Sequence, residues 1–315
     1  MILFLQSIAD KHMDAVRQRL GDEVVLLPGL DDHRAADAWK RAEIVVGFEA
    51  QFTEQLIRSA EAVRWFHSLS AGVDKLAFDA VRAKGIQVSN SSGIHGRQMS
   101  ENIFGMLLAF TRGLHFMVRN QQRAVWDTHY AFSELPGSTL AIIGAGRIAQ
   151  EVARKAKAFD MSVTGVRRSP RAMTHFDDVV GLDRLHEVIA GADYVLILTP
   201  LTPDTHGLFG ARELAAMRPS AYLLNFGRGN VVDESALIAA LSEGRIAGAG
   251  LDVFSQEPLP SDSPLWSMSN VIISPHTSGA SPTYFPRALD VFLDNYRAYR
   301  AAEPLPNGID LARQY

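Results

Sequence analysis

The stretch Leu140-Ala141-Ile142-Ile143-Gly144-Ala145-Gly146-Arg147-Ile148-Ala149 decides the fold. Four apolar residues run straight into a glycine turn, and a helical pattern follows to Phe159. Strand, G-x-G-x-x-A and helix form the fingerprint of a dinucleotide-binding turn. Gly144 is expected to make the tight turn. Gly146 would let backbone approach a pyrophosphate, and Ala149 would let the helix lie close to the sheet. The N–H groups and dipole at the helix start, through Arg147 and Ile148, then favour an anion.

Working outward, the alternation of strand and helix continues on both sides. Downstream, strands are expected at Leu140–Ile143, Ser162–Val166, Tyr194–Thr199, Ala221–Asn225, Ala247–Leu251 and Val271–Ser274. Helices fall between them at 148–159, 182–190 and 234–241. Six strands in this arrangement match a doubly wound nucleotide-binding sheet. Upstream, shorter apolar runs lie at 2–5, 24–27, 44–47, 65–69 and 86–89, separated by helix-compatible segments such as 10–20 and 53–60. They describe a second, smaller parallel α/β domain. A single long helix is expected over Glu101–Phe116, followed by an irregular segment, Arg119–Pro136, that would lie over a domain or reach a second subunit. The final stretch, with a helix at Ala288–Arg300, has no strand of its own and is expected to pack back on the first domain.

Composition sets outer bounds. A chain of 315 residues exceeds the usual single-domain size. Its 47% hydrophobic and 21% charged content is that of a water-soluble globular protein. The net charge of −4 gives no reason to expect nucleic acid as a partner. The absence of cysteine excludes disulfides and thiolate chemistry and suits a cytoplasmic location. The apolar N-terminus is too short for a signal segment and reads as a first buried strand, and no run approaches a membrane span. No set of His, Asp and Glu has metal-ligand spacing, so no metal is expected.

The second strand of the nucleotide-binding half ends in Arg167-Arg168-Ser169 rather than in a carboxylate. An NAD-selective site places an acid there for the ribose 2′-OH. Two guanidiniums and a hydroxyl instead suit a 2′-phosphate through forked, charge-assisted contacts. NADP(H) is therefore the expected cofactor, with NAD(H) also accommodated. The plain alternative is a solvated basic turn.

Three further segments end successive strands: Asn225–Asp233, Leu251–Pro260 and Ser274–Gly279. They bring Arg228, Glu257 and His276 to the edge where ligands of open sheets bind. With SLSAGVDKL near Ala71-Gly72-Val73, the glycine fingerprint and LTPLTPDTHGLF at 198–209, the chain resembles the D-isomer-specific 2-hydroxyacid dehydrogenases over nearly its whole length. The dibasic turn resembles the glyoxylate/hydroxypyruvate reductase branch. The resemblance implies two Rossmann-like or flavodoxin-like parallel-sheet domains with a cleft between them. Residues 1–95 with 282–315 would form the substrate domain and 96–281 the dinucleotide domain, in a homodimer.

The chemistry assigns roles. Reduction of a 2-keto acid moves hydride to the carbonyl carbon, and the growing charge on oxygen must be met by a proton. His276 would be that acid, and the base in reverse. Glu257 would favour its charged form and fix its tautomer. Arg228 would polarise the carbonyl and hold the carboxylate. Each has a bland alternative: a surface Pro-His-Thr turn, a loop-capping Glu257, an Arg228 paired with Asp233. The resemblance also implies that the amides of Ala71, Gly72 and Val73 take the carboxylate's other side, in the manner of an anion nest. It places Thr199 and Pro200 along the cofactor and Asp252 near the nicotinamide carboxamide, where a strand-end turn residue is the alternative. His67 reads as a satisfied core residue and His206 as a structural hydrogen-bonding residue. His95 and Arg97 lie where they would reach a cleft entrance or, for Arg97, face water. Rival readings are a formate- or phosphite-type dehydrogenase of the same superfamily and a dinucleotide-sensing, corepressor-like binding protein.

Overall fold

The computed structural model describes residues 1–5, 10–21, 24–27 and 35–312. The chain divides into two compact units, Met1–Ile94 with Ser281–Tyr315, and His95–Ala280.

The first unit carries β1 (Ile2–Phe4), β2 (Val24–Leu26), β3 (Ile44–Gly47), β4 (Trp65–Ser68) and β5 (Gln87–Asn90). They form a five-stranded parallel sheet in the order β2-β1-β3-β4-β5, the flavodoxin-like winding. Alternation along each strand feeds two cores. Leu3, Leu5, Val45, Phe66 and Val88 pack on one face. Ile2, Phe4, Ile44, Val46 and Trp65 pack on the other, covered by Leu289, Phe292 and Leu293 of the C-terminal helix. Phe292 stacks on Trp65 at 5.3 Å and meets Phe4 edge-on at 5.8 Å. That helix runs Tyr284–Arg300, four residues earlier than its apolar pattern suggests. Pro286 falls in its first turn, where a missing N–H costs nothing.

The second unit carries β6 (Thr139–Ile143), β7 (Ser162–Val166), β8 (Asp178–Val180), β9 (Tyr194–Ile197), β10 (Tyr222–Asn225), β11 (Gly248–Leu251) and β12 (Val271–Ile273). Seven parallel strands lie in the order β12-β11-β10-β9-β6-β7-β8, which is the doubly wound Rossmann order extended by one strand. The strand missing from the six expected is β8. It has three residues, pairs only with β7 at the sheet edge, and carries too short an apolar run to announce itself. Ala141 and Ile143 face one core, Leu140 and Ile142 the other.

The expected single helix over 101–116 is two helices, Gly96–Thr111 and Leu114–Gln122. Gly113 breaks it with φ +63°, and a Cβ there would lie 2.7 Å from the Tyr130 ring. Tyr130, from the irregular 119–136 segment, also donates its hydroxyl to the Phe110 carbonyl at 2.7 Å. The break sits at a glycine that the apolar periodicity passes over, and the Tyr130 ring packed there admits no side chain.

Candidate active site

In the second unit, the β6 end builds the glycine turn. Gly144 has φ +98°, and a Cβ on it would lie 2.8 Å from Leu198 C and Thr199 N. Its N–H and that of Ala145 bond the Val166 carbonyl at 2.9 and 3.2 Å, so the turn is tied to β7. Gly146 differs: a Cβ there would meet nothing nearer than the Gly144 carbonyl at 3.9 Å. The helix Arg147–Ala158 starts here, and its first carbonyl acceptor, Gly146, receives Gln150 N–H at 3.1 Å. The N–H groups of Ile148 and Ala149 bond nothing among the described residues. Ala149 is fully buried in the core beneath. Open space at Gly146 beside open helix N–H groups fits a bound pyrophosphate. Thr199 lies against this turn, with its hydroxyl on the Ile143 carbonyl at 3.1 Å. Pro200 is exposed, and its carbonyl accepts from Thr205 at 2.6 Å.

The β7 end presents Arg167, half-buried beside Met173, and Arg168 and Ser169, both exposed. Arg168 pairs with Asp204 at 2.5 Å. The expectation that no acid stands at this strand end needs correcting: the strand itself carries none, but the loop after β9 supplies one. The same loop corrects His206, whose side chain is exposed, while neighbouring Thr205 makes the loop's side-chain hydrogen bonds, to Pro200 O and Thr202 N.

The other side of the sheet collects the ionisable groups on β10, β11 and β12, which are neighbours. His276 Nδ1 meets Glu257 Oε2 at 2.7 Å, both partly exposed. An ionised carboxylate only accepts, so Nδ1 carries the proton and Nε2 is the atom left for chemistry. Glu257 Oε1 accepts from Phe254 N–H at 3.0 Å, which fixes the carboxylate plane. His276 has φ +52°, and its N–H bonds the Asp252 and Ser274 carbonyls at 2.9 and 3.0 Å. Asp252 is 1% exposed. Its carboxylate accepts from Ser274 Oγ at 2.6 Å, Thr277 N at 3.0 Å, Ser278 N at 3.2 Å and Ser278 Oγ. Four donors from the His276 loop make Asp252 the anchor of that loop, which is its strand-end turn alternative.

Arg228 sits in extended backbone after β10, half-buried, with Nη1 donating to Gly227 O at 2.9 Å. Asp233 caps the following helix through Ala236 N–H at 3.0 Å. His95, expected to reach a cleft entrance, lies beside the His276 loop. Its ring packs on Gly279, where a Cβ would lie 3.0 Å from Cδ2, and Gln98 donates to Gly279 O at 3.1 Å. Burial, with a smaller contribution from the Arg228 charge, pushes the His95 imidazole down to about 4. Arg97 is exposed.

In the first unit, the turn after β4 carries Ala71, Gly72 and Val73. Its carbonyls are occupied: Ser70 O by Ser91 N–H at 3.1 Å, Ala71 O by Asn90 Nδ2 at 2.5 Å, Gly72 O by Ser70 Oγ at 2.8 Å and Val73 O by Leu76 N–H at 3.1 Å. The N–H groups of Ala71, Gly72 and Val73 bond nothing among the described residues. Three unspent donors in succession suit an anion.

A Rossmann sheet with a pyrophosphate-type glycine turn and an oriented histidine on its neighbouring strand ends defines a dinucleotide-dependent oxidoreductase. Residues 104–278 match the family model described as D-isomer specific 2-hydroxyacid dehydrogenase, NAD binding domain. The chain is 35% identical over 275 residues to a D-3-phosphoglycerate dehydrogenase of Methanocaldococcus jannaschii, covering 86% of this chain but only 52% of that enzyme. It is 34% identical over 278 residues to a glyoxylate/hydroxypyruvate reductase B of Pectobacterium carotovorum, covering 86% and 87% of the two chains. A crystal structure of a D-isomer specific 2-hydroxyacid dehydrogenase from Xanthobacter autotrophicus, in complex with NADPH and MES, superposes with a TM-score of 0.85 at 28% identity, covering 100% of this chain and 99% of that one. The chain belongs to the D-isomer specific 2-hydroxyacid dehydrogenase family, whose members are NAD(P)-dependent enzymes.

Proposed function

We propose that this protein reduces small 2-keto acids of the glyoxylate and hydroxypyruvate type to D-2-hydroxy acids, with NADPH preferred over NADH. The observation that carries the reading is the His276–Glu257 pair at 2.7 Å, which leaves Nε2 as the reactive nitrogen. When bound, the nicotinamide supplies the hydride that reaches the keto carbon. The C=O π pair moves onto oxygen, and His276 Nε2 delivers the proton that completes the hydroxyl. Glu257 holds the ring and balances the imidazolium. Arg228 polarises the carbonyl and grips the carboxylate, and the amides of Ala71, Gly72 and Val73 in the first unit are suited to a substrate carboxylate. Ile148 and Ala149 N–H groups, with Gly146 giving room, hold the pyrophosphate. Arg167, Arg168 and Ser169 hold the 2′-phosphate. Arg168 exchanges its exposed pairing with Asp204 for a dianionic partner, and an exposed pair gives up only about 1 kcal/mol. The reductase relative from Pectobacterium and the NADPH-bound relative support the substrate class and the cofactor.

The test is initial-rate oxidation of NADPH and NADH with glyoxylate, hydroxypyruvate, pyruvate and phenylpyruvate in parallel. NADPH turnover far ahead of NADH supports the whole reading. Turnover chiefly with NADH removes the 2′-phosphate assignment and leaves the proton chemistry. Binding of NADPH without turnover of any keto acid favours a sensing role.

A homodimer is part of the same reading. Leu114, Met117, Val118, Val125, Trp126 and Phe132 are exposed apolar residues on the second unit, and Trp126 is 96% exposed. So many exposed apolar side chains within one stretch of chain suit a subunit contact. Sedimentation of the native chain should give a dimer, and Trp126→Asp together with Val118→Asp should give monomer. No described helix is long and apolar enough to cross a membrane.

A further inference from the structure

We infer that His67, on β4 of the first unit, is a positioning residue: through Ser91 it fixes the peptide carbonyls whose capture presents the Ala71, Gly72 and Val73 N–H groups to a substrate carboxylate. The inference rests on the proposed role of that turn.

Trp65, Ser89, His67 and Ser91 form a hydrogen-bond chain whose directions are determined. Indole nitrogen only donates, so Trp65 Nε1 gives its proton to Ser89 Oγ at 2.9 Å. Ser91 Oγ gives its single proton to the Ser68 carbonyl at 3.1 Å. It must therefore accept from His67 Nε2, 3.2 Å away. A neutral imidazole protonated at Nε2 accepts at Nδ1, and Ser89 Oγ donates there at 2.8 Å. Trp65, Ser89, His67, Ser91 and the Ser68 carbonyl thus form one directional chain with every proton assigned. The imidazole is fully buried, and burial lowers its pKa to about 3, so it stays neutral and the chain keeps this polarity.

The consequence lies at the turn. In a trans peptide, the carbonyl of one residue and the N–H of the next point to opposite sides. Capturing the Ser70 carbonyl turns the Ala71 N–H outward. Capturing the Ala71 and Gly72 carbonyls does the same for the Gly72 and Val73 N–H groups. Ser91 makes the first capture with its own backbone N–H, at 3.1 Å. Asn90, beside it, makes the second. Ser70 Oγ makes the third, and since its proton goes to Gly72 O, Ser68 Oγ donates to Ser70 Oγ at 2.8 Å. His67 on β4 holds the Ser91 hydroxyl, which in turn bonds the Ser68 carbonyl, so it helps set where these captures originate. A histidine that merely filled the core would satisfy itself on Ser89 and have no bond to the clamp.

The test uses the full-length enzyme and three substitutions. His67→Gln can place its Nε2 donor where the imidazole Nε2 stands and keep the Ser91 bond. His67→Asn keeps only an acceptor toward Ser89. His67→Phe keeps shape and loses both. KM and kcat are measured with the keto acid turned over best, and NADPH Kd by fluorescence checks the other unit. The expected result is a KM raised at least tenfold in the Asn and Phe variants, with kcat and NADPH Kd within threefold of wild type, and a KM within threefold for Gln. Equal KM in all three variants, or parallel loss of kcat and KM tracking the melting temperature, overturns the inference. If His67→Phe does not fold, Ser91→Ala carries the test, since it removes the hydroxyl and keeps the backbone clamp. Separately, the ¹⁵N–¹H resonance of Gly72 in the wild type is followed as oxamate is added. No shift defeats the turn's role and this inference with it. A shift with unchanged KM in the His67 variants defeats the inference alone.

Discussion

Gly144 and Gly146 belong to one motif, yet replacing each by alanine should produce opposite phenotypes. At Gly144 the backbone stands at φ +98°, outside what an L side chain adopts easily, and a Cβ would lie 2.8 Å from two backbone atoms of Leu198 and Thr199. The neighbour is main chain beside β9 and cannot swing away. Backbone strain of about 1–3 kcal/mol and overpacking of about 1–3 kcal/mol together predict a loss near 4 kcal/mol. For a unit of this size that lowers its melting temperature by roughly 10 °C. At Gly146 the backbone is extended, φ −113° and ψ −155°, and the nearest atom to a new Cβ is 3.9 Å away. Gly146→Ala should therefore change stability by less than about 1 kcal/mol. The methyl group enters the space assigned to the pyrophosphate, so NADPH Kd should rise at least tenfold, about 1.4 kcal/mol. Thermal and urea unfolding without cofactor, followed by fluorescence titration with NADPH, separate the two. Unfolding of Gly146→Ala as early as Gly144→Ala, or NADPH binding as tight as wild type, would overturn the assignment of Gly146 to the pyrophosphate.

Three further outcomes are expected. Glu257→Gln leaves one oxygen for two donors, Phe254 N–H and His276 Nδ1–H, which now use separate oxygens. The ring loses its orientation, and kcat should fall about 10- to 100-fold, or 1.4–2.7 kcal/mol, with NADPH Kd unchanged. Asp204→Asn releases Arg168 from its acidic partner, and the ratio of kcat/KM for NADPH over NADH should rise several-fold; a ratio that falls or stays level would show that Asp204 does not compete for Arg168. Acid stability should report the buried histidines. His67 and His95 fold with pKa values lowered to about 3 and about 4. The unfolded chain takes up their protons near pH 6.5, so stability falls as pH drops below that value, by up to about 1.4 kcal/mol per pH unit for each histidine. Urea midpoints measured from pH 7 to pH 5 should therefore decline, and His67→Gln should make the decline shallower by about one proton.

Much of the fold is legible in the sequence because strand and helix formation follow local apolar patterns. The run Leu140–Ile143 and the glycines after it name a β-turn-helix unit without any knowledge of the rest. Ser162–Val166 reads as a strand from end to end, and observed β7 has the same bounds. Parallel strands buried on both faces, such as Leu140–Ile143, read as continuous apolar runs. Where the signal is weak, local reading fails. Strand β8 has three residues at an edge, and its identity comes from pairing with β7. The helix breaks at Gly113, where φ is +63° and the Tyr130 ring, seventeen residues on, leaves no room for a side chain.

The candidate site divides along the same line. Residue types and their order at strand ends single out Arg228, Glu257 and His276, because proton transfer and anion binding call for those groups. The pairing of Glu257 with His276 is expected from that order and observed, but other partners are not legible in the sequence. Asp204 reaches Arg168 across 36 residues, and Asp252 gives its carboxylate to a loop 22 to 26 residues on. His67 reads from sequence as a core residue, and only the meeting of β4 with β5 shows that its two nitrogens bond Ser89 and Ser91. Most strands, most helices and the chemistry on offer are legible in the sequence, since these depend on neighbours a few residues apart. Tertiary structure decided the partners, because a hydrogen bond is chosen by distance in space, and loops far apart in the chain meet only once the sheets have formed.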